Sequence, residues 1–197
     1  MTHLILASKS ASRAMLLRNA GVAFAVAPSD VDEDQTKVRL LDAGAGPRQV
    51  AEALAEEKAL AVSNARSGLV LGADQTLDLA GVLYDKAADL DDARRRLRAF
   101  RGRTHHLHAA VVLAERGAVV WRHTETASLT MRDFSDAFLE TYLETHGQAA
   151  LGSVGCYQLE GAGAQLFTQV EGDYFAILGL PLWGLLDYLR AHGVLQA

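Results

Sequence analysis

The sequence predicts an α/β domain built on a mixed sheet, on three observations. Short continuous apolar runs, "LILA" and "LVLGAD", alternate with helical periodicities in the first half of the chain, the pattern of buried strands packed against helices. Long alternating runs joined by tight turns fill the second half, above all "THHLHAAVVLAERGAVVWRHTETASLTM", the pattern of antiparallel hairpins. The 197 residues are 50% hydrophobic and 22% charged, with no internal repeat or low-complexity tract, so one domain spanning 1–197 can bury a sizeable core.

The elements follow in order. "LILA" is a strand. A helix starts near Ser10 and stops before Gly21, a fitting C-terminal cap. "VAFAV" is the second strand. "PSDVDEDQT" reads as an acidic loop and "LLDAGAGP" as a flexible connector. Pro47 opens a long helix, "PRQVAEALAEEKALAVSNA", in the position where proline costs no hydrogen bond. "LVLGAD" is the third strand, and "QTLDLAGVLYDK" a hairpin around Gly81. "DLDDARRRLRAF" is an Asp-capped helix with Leu90, Ala93, Leu97 and Phe100 on one face, ended by Gly102. The long hairpin turns at Arg116-Gly117. "SDAFLETYLETHG" is a capped helix, "GAQLFTQVEGDYFAIL" a pair of extended segments, and "PLWGLLDYLRAHG" a closing helix between Pro and Gly.

Composition narrows the function. A net charge of -5 disfavours a nucleic-acid polymer as partner but leaves room for a small phosphorylated ligand, which needs only a few placed cations. The single cysteine, Cys156, excludes an internal disulfide and fits a reducing compartment. The N-terminus lacks a basic region and a sufficient apolar run for a signal peptide. The longest uncharged apolar run, "YFAILGLPLWGLL", is short of a membrane span and contains Pro181. A cytoplasmic protein with no membrane contact is expected.

Several residues carry chemistry. Ser8-Lys9-Ser10 joins a strand to a helix N-terminus, where unpaired N–H groups and the helix dipole favour an anion, and Arg13 adds a bidentate cation. Ser10 serves equally as a plain N-cap, and no Walker loop occurs. Val50, Leu54, Ala61 and Val62 form the stripe of the long helix. Lys58 falls on that stripe, away from Glu52 and Glu56. A lysine there either meets an anion or snorkels out. Asp74 closes a buried strand, where open α/β sheets place ligand-binding groups, or caps a turn. Gly72 permits close approach of another backbone. Glu33 lies in the acidic loop. If it converges with Asp74, the two offer oxygen ligands to Mg²⁺. Lys86 is a loop cation. His106 and His108 share a strand face without a third metal ligand nearby, so the histidines of "HHLH" are structural. Cys156 is buried filler. Glu171 and Asp173 flank a solvated turn at Gly172. Tyr157 and Phe167 either stack on a base or fill the core.

Taken together, these pieces resemble the Maf family of nucleoside triphosphate pyrophosphatases over nearly the whole chain. "LILASKSASR" is similar to the family's L-I-L-A-S-x-S-P-R-R, "VDE" to its acidic loop, and "EEKA" to its E-K-A. "LGADQT" is similar to G-A-D-T or G-S-D-Q, "LYDKA" to G-K-P, "RGRTH" to S-G-x-x-H, and "GLPL" to its C-terminal signature. Each is weak alone; seven in the family's order are specific. The resemblance implies a fold similar to inosine triphosphate pyrophosphatases, with helices on both sides of a mixed sheet and a cleft between two lobes. It implies hydrolysis of a nucleoside triphosphate to the monophosphate and pyrophosphate with a divalent metal, Mg²⁺ or Mn²⁺, and a possible homodimer. By the same resemblance Asp74 accepts the proton of the attacking water and Glu33 partners metal or water. Lys58 and Lys86 join them on the catalytic, phosphate side, with Ser8, Ser10 and Arg13 binding phosphate.

Two departures stand out: the family's Pro-Arg is Ala11-Ser12, and the Pro after Lys86 is Ala87. Three family positions track base preference. Members preferring dTTP and UTP carry Arg, Thr and Gln; members preferring 7-methyl-GTP carry Trp, Gln and Glu. This chain has Ser12, Gln75 and Glu160, so two positions fit the methylated-guanine group. A carboxylate only accepts hydrogen bonds, and guanine's Watson–Crick edge offers N1–H and N2–H₂ donors. The resemblance therefore implies 7-methyl-GTP, with dTTP/UTP hydrolysis or a weakly catalytic nucleotide-binding regulator of division as alternatives.

Overall fold

The computed structural model describes residues 3–196. β1 (Leu4–Leu6) leads into α1 (Ala11–Asn19), β2 (Phe24–Val26), α2 (Glu33–Asp42) and α3 (Pro47–Ser63). β3 (Leu69–Leu79), β4 (Val82–Tyr84), α4 (Leu90–Phe100), β5 (Thr104–Glu115) and β6 (Ala118–Met131) follow. α5 (Asp136–Ala150), a 3₁₀ turn (Ala162–Leu166), β7 (Phe167–Glu171), α6 (Tyr174–Ile177) and α7 (Leu182–Ala191) complete the chain. The sheet runs β2-β1-β3-β5-β6-β7, with β4 on the β3 edge. β1 is parallel to β2 and β3, and all other pairings are antiparallel. The expected mixed sheet is present. Among the described residues no helix is long and apolar enough to cross a membrane.

The pleat sorts β3 into two faces. Leu69, Leu71 and Ala73 join Val111 and Leu113 of β5 in a core under α1 and α7. Leu77 and Leu79, on the same face further along, join Leu107 and Leu129 in a second core under α4 and α5. Gln75 lies between the two. The opposite face meets α3, whose Ala51, Ala55 and Ala59 pack on Ala110, Val112 and Ala114. Ala61, expected on the apolar stripe, is exposed, because this alanine face contacts the sheet instead.

Four assignments from the sequence change. The end of the acidic loop and the start of the flexible connector belong to α2. The Asp32 side chain accepts from Gln35 N as N-cap, and Glu33 and Asp34 suit the positive end of the helix dipole. Its apolar Val38 and Leu41 face solvent at 60% and 43% exposure, so no apolar stripe announced it. Asp74 lies within β3, not at its end, since β3 runs on to pair with β4. α5 continues through Gly147, where a Cβ would sit 2.6 Å from Leu90 Cδ2; the glycine admits Leu90 rather than ending the helix. The second extended segment near the C-terminus is the single-turn α6, capped by Asp173 accepting from Ala176 N. That helix is too short to show a period, and its cap shows that Asp173 is not merely solvated.

Candidate active site

β3 is paired along one edge with β1 only through Leu71 and with β4 only from Leu77. The interval between is a gap in the sheet, and it exposes Asp74 from one face and Gln75 from the other to a single cleft of about 830 Å³. A cleft at the carboxyl end of the parallel strand β1 is where α/β sheets place ligands.

One wall is the β1–α1 connection. Ser8 Oγ accepts from Ser10 N at 3.2 Å and from Arg13 Nη1 at 3.3 Å, and Ser10 Oγ accepts from Arg13 N. Ser10 is thus the N-cap and also lines the cleft. Arg13 Nε donates to Gly179 O at 2.9 Å, tying this loop to the segment after α6. Desolvation by burial pulls the Arg13 pKa down, against the opposing charges of Asp74 and Glu33, yet a guanidinium stays charged. It is a fixed cation at the cleft floor.

The floor is a charged triad. Gly72 makes it possible: a Cβ there would lie 2.2 Å from Ala55 O and 2.6 Å from Ala59 N, so α3 crosses β3 backbone to backbone. Lys58, one turn on, thereby reaches Asp74 Oδ1 at 2.7 Å and Glu33 Oε1 at 2.8 Å. The Lys58 side chain is 6% exposed, which excludes snorkelling. A buried ammonium persists because both neighbours are anions. The triad keeps one net negative charge. Together Glu33 and Asp74 present hard oxygen donors, a set that suits Mg²⁺ or Mn²⁺ completed by water and phosphate oxygens rather than an all-protein cage. Among the described residues no group of three or more His, Cys, Asp or Glu is placed to hold a metal.

The other end of the cleft carries Gln75, Ser12 and Glu160. Gln75 Nε2 donates to Ala176 O at 2.8 Å and Ile177 O at 3.0 Å, so the amide nitrogen is spent and Oε1 remains as acceptor. Ser12 Oγ donates to Leu178 O at 2.9 Å. Glu160 is exposed on the rim, on a loop that also brings Val154, Tyr157 and Leu159 to the cleft. This loop is held from behind. Tyr157 Oη hydrogen-bonds His105 Nε2 at 2.7 Å, Tyr142 Oη donates to Cys156 O, and Ser153 Oγ bonds both N and O of Tyr157. Burial pushes the Tyr157 pKa up and drives His105 down to about 4, so His105 is neutral. Cys156 is fully buried with its pKa raised to about 11, and is inert packing. His106 and His108 stack on one strand face as expected, and Phe167 packs against the core.

The ten residues to which the family resemblance gives a site role all line this cleft: Ser8, Ser10, Ser12, Arg13, Glu33, Lys58, Asp74, Gln75, Lys86 and Glu160. Lys9, Lys37, Asp34 and Asp85 line it too. Lys37 was missed because it is one helical turn after Glu33, a relation visible only once α2 is recognised. The carbonyls of Ala176, Ile177, Leu178 and Gly179, which hold Arg13, Ser12 and Gln75, carry no side-chain signal at all.

Comparison with known proteins bears on this cleft. The family model described as "Maf-like protein" matches residues 3–192. The chain is 58% identical over 195 residues to the nucleoside triphosphate pyrophosphatase of Caulobacter vibrioides, covering 99% of this chain and 98% of that one. It is 50% identical over 188 residues to the 7-methyl-GTP pyrophosphatase of Brucella suis, covering 95% of this chain and 94% of that one. A HAM1 protein from Coxiella burnetii aligns with a TM-score of 0.44 at 16% identity, over 68% of this chain and 75% of that one.

Proposed function

This chain belongs to the Maf family of nucleoside triphosphate pyrophosphatases, and from that premise we propose that it hydrolyses 7-methyl-GTP to 7-methyl-GMP and pyrophosphate, with Asp74 activating the attacking water. The observation that carries the chemistry is the triad of Lys58 between Glu33 and Asp74, opening on a loop held by Ser8, Ser10 and Arg13.

Attack at the α-phosphorus needs an oriented water and a neutralised triphosphate. In this reading Asp74, which lines the cleft and accepts from Lys58 through Oδ1, takes the proton of the attacking water. Lys58 orients that carboxylate. Arg13 and Lys86, with N–H groups at the α1 N-terminus, hold the phosphate oxygens. Glu33 and Asp74 would hold a divalent cation, which supplies charge neutralisation to the triphosphate when bound. Ser12 stands where a second arginine would add another phosphate-side cation, and its hydroxyl is committed to Leu178 O.

The base preference rests on acceptors. Gln75 offers only Oε1, since its amide nitrogen is held by two carbonyls, and Glu160 adds a carboxylate on the rim. Two acceptors suit a donor-rich edge such as that of guanine, and leave an unpaired group against the carbonyls of thymine or uracil.

The test is pyrophosphate release from 7-methyl-GTP, GTP, dTTP, UTP and CTP, with Mg²⁺ or Mn²⁺, by wild type and Asp74→Asn. A preference for 7-methyl-GTP that Asp74→Asn removes, with nucleotide binding retained, supports both parts. A preference for dTTP or UTP keeps the mechanism and rejects the base assignment. Absence of turnover with every nucleotide rejects the enzymatic reading in favour of a nucleotide-binding regulator.

A further inference from the structure

The cleft has a built-in charge balance. Five cations line it, and so do five carboxylates. Lys58 is held between Glu33 and Asp74, and Arg13 is anchored to Ser8 Oγ and Gly179 O. Lys9 and Lys86 form no ion pair among the described residues. Lys37 differs from all of these: its Nζ donates to Asp85 Oδ1 at 2.6 Å, with Asp34 at 3.7 Å.

The two ends of that pair are unequal. The Lys37 side chain is 17% exposed, while that of Asp85 is 53% exposed. The ammonium is sheltered in the cleft and its counter-ion stands at the solvent edge. Asp34 and Asp85 hold the Lys37 pKa up against desolvation, so the group remains a cation. The pair also joins two walls: Lys37 belongs to α2, which carries Glu33, and Asp85 precedes Lys86. Elsewhere α2 is tied down by Thr36 and Arg39, both bonded to Glu57 on α3. Its position therefore does not depend on the Lys37–Asp85 contact alone.

We propose that Lys37 is a further phosphate-binding residue, and that Asp85 is its exchangeable counter-ion, with which the triphosphate's oxygens compete. A triphosphate brings about four negative charges to a cleft whose protein charges already cancel, so cations must be released to it from protein carboxylates. Lys58 is committed to the catalytic carboxylates. Lys37 can be released without loss, because Asp85 is half in water and its charge is solvated when the ammonium turns away. This inference rests on the triphosphate lying against the Ser8–Arg13 loop, as proposed above, and is independent of which base is bound.

The test compares Lys37→Met, Lys37→Arg, Asp85→Asn and the double variant Lys37→Met/Asp85→Asn in the full-length chain. Steady-state kinetics with the best nucleotide are paired with calorimetric binding of inorganic tripolyphosphate. Loss of one charge-assisted contact predicts about a tenfold rise in KM for Lys37→Met, with Lys37→Arg restoring most of it. Asp85→Asn is expected to shift KM the opposite way, downward, and this gain is expected to vanish in the Lys37→Met background. Tripolyphosphate affinity should follow the same order. Equal KM increases in both single variants would mean a mere strut between the walls and overturn the proposal. So would an Asp85→Asn gain that persists without Lys37, or loss of turnover in Asp85→Asn. Tripolyphosphate has no base, so an error in the base assignment leaves this readout intact, and melting curves verify that each variant is folded.

Discussion

Lys58 and Asp74, from a helix and a strand, meet at 2.7 Å with both side chains nearly excluded from solvent. Neither charge would be stable there alone. Their contact, with Glu33 on the same ammonium, is the point where fold energetics and site chemistry become one question.

Removing the cation leaves two carboxylates facing each other without compensation. Breaking a buried ion pair in this way costs about 3 kcal/mol or more. For a chain of this size, Lys58→Met should lower the melting temperature by roughly 6–12 °C. A calorimetric scan checks it, and turnover should be lost even below the transition.

Two glycines of similar appearance should respond differently to alanine. At Gly72 the new Cβ meets backbone, 2.2 Å from Ala55 O, and α3 must move off β3. A cost of about 3 kcal/mol is expected, together with loss of activity as Lys58 leaves Asp74. At Gly147 the one close contact of the Cβ is Leu90 Cδ2 at 2.6 Å, the end of a flexible side chain, with Leu143 at ordinary contact distance from 3.5 Å. Helix propensity favours alanine there by about 1 kcal/mol, so Gly147→Ala should lie near neutral. Parallel urea melts of the two variants decide.

His105 should make stability fall in mild acid. Its pKa is about 4 in the folded chain and near 6.5 in the unfolded one, because burial disfavours the charged ring. Between those values the unfolded chain binds a proton that the folded chain does not. The stability contribution is complete above pH 6.5, declines as pH falls toward 4, and changes no further below that. The total is about 3 kcal/mol. Stability measured across this window in wild type and His105→Phe should show a flatter profile in the variant.

Base choice should follow the acceptor on the rim. Glu160→Gln replaces a carboxylate by a group that also donates. The ratio of kcat/KM for 7-methyl-GTP over dTTP is expected to fall about tenfold, with pyrophosphate release otherwise intact. Competition between the two nucleotides in one reaction reads this ratio directly.

Much of this molecule was legible before any coordinates. Apolar runs and turn chemistry located all seven strands and five of the seven helices among the described residues, because burial and capping leave local marks in a chain. The spacing set Lys58 on the apolar stripe, and its burial against two carboxylates decided between an anion partner and snorkelling. The glycine at 72 could be read as a close approach. α2 could not, since its apolar side chains face solvent and its hold on the protein runs through Thr36 and Arg39 to Glu57. With it went Lys37, which stands on the same helical face as Glu33.

What the sequence determined by itself was the α/β class, the ordered set of motifs and the residue types able to bind phosphate and activate water. Only the tertiary structure decided how they meet. The gap on the β3 edge, between the end of β1 and the start of β4, lets adjacent residues of opposite pleat, Asp74 and Gln75, serve one cleft. Carbonyls from α6 and the turn after it orient Gln75, Ser12 and Arg13. These are backbone positions and strand endings, and they are set by long-range pairing, which leaves no local pattern in the order of residues.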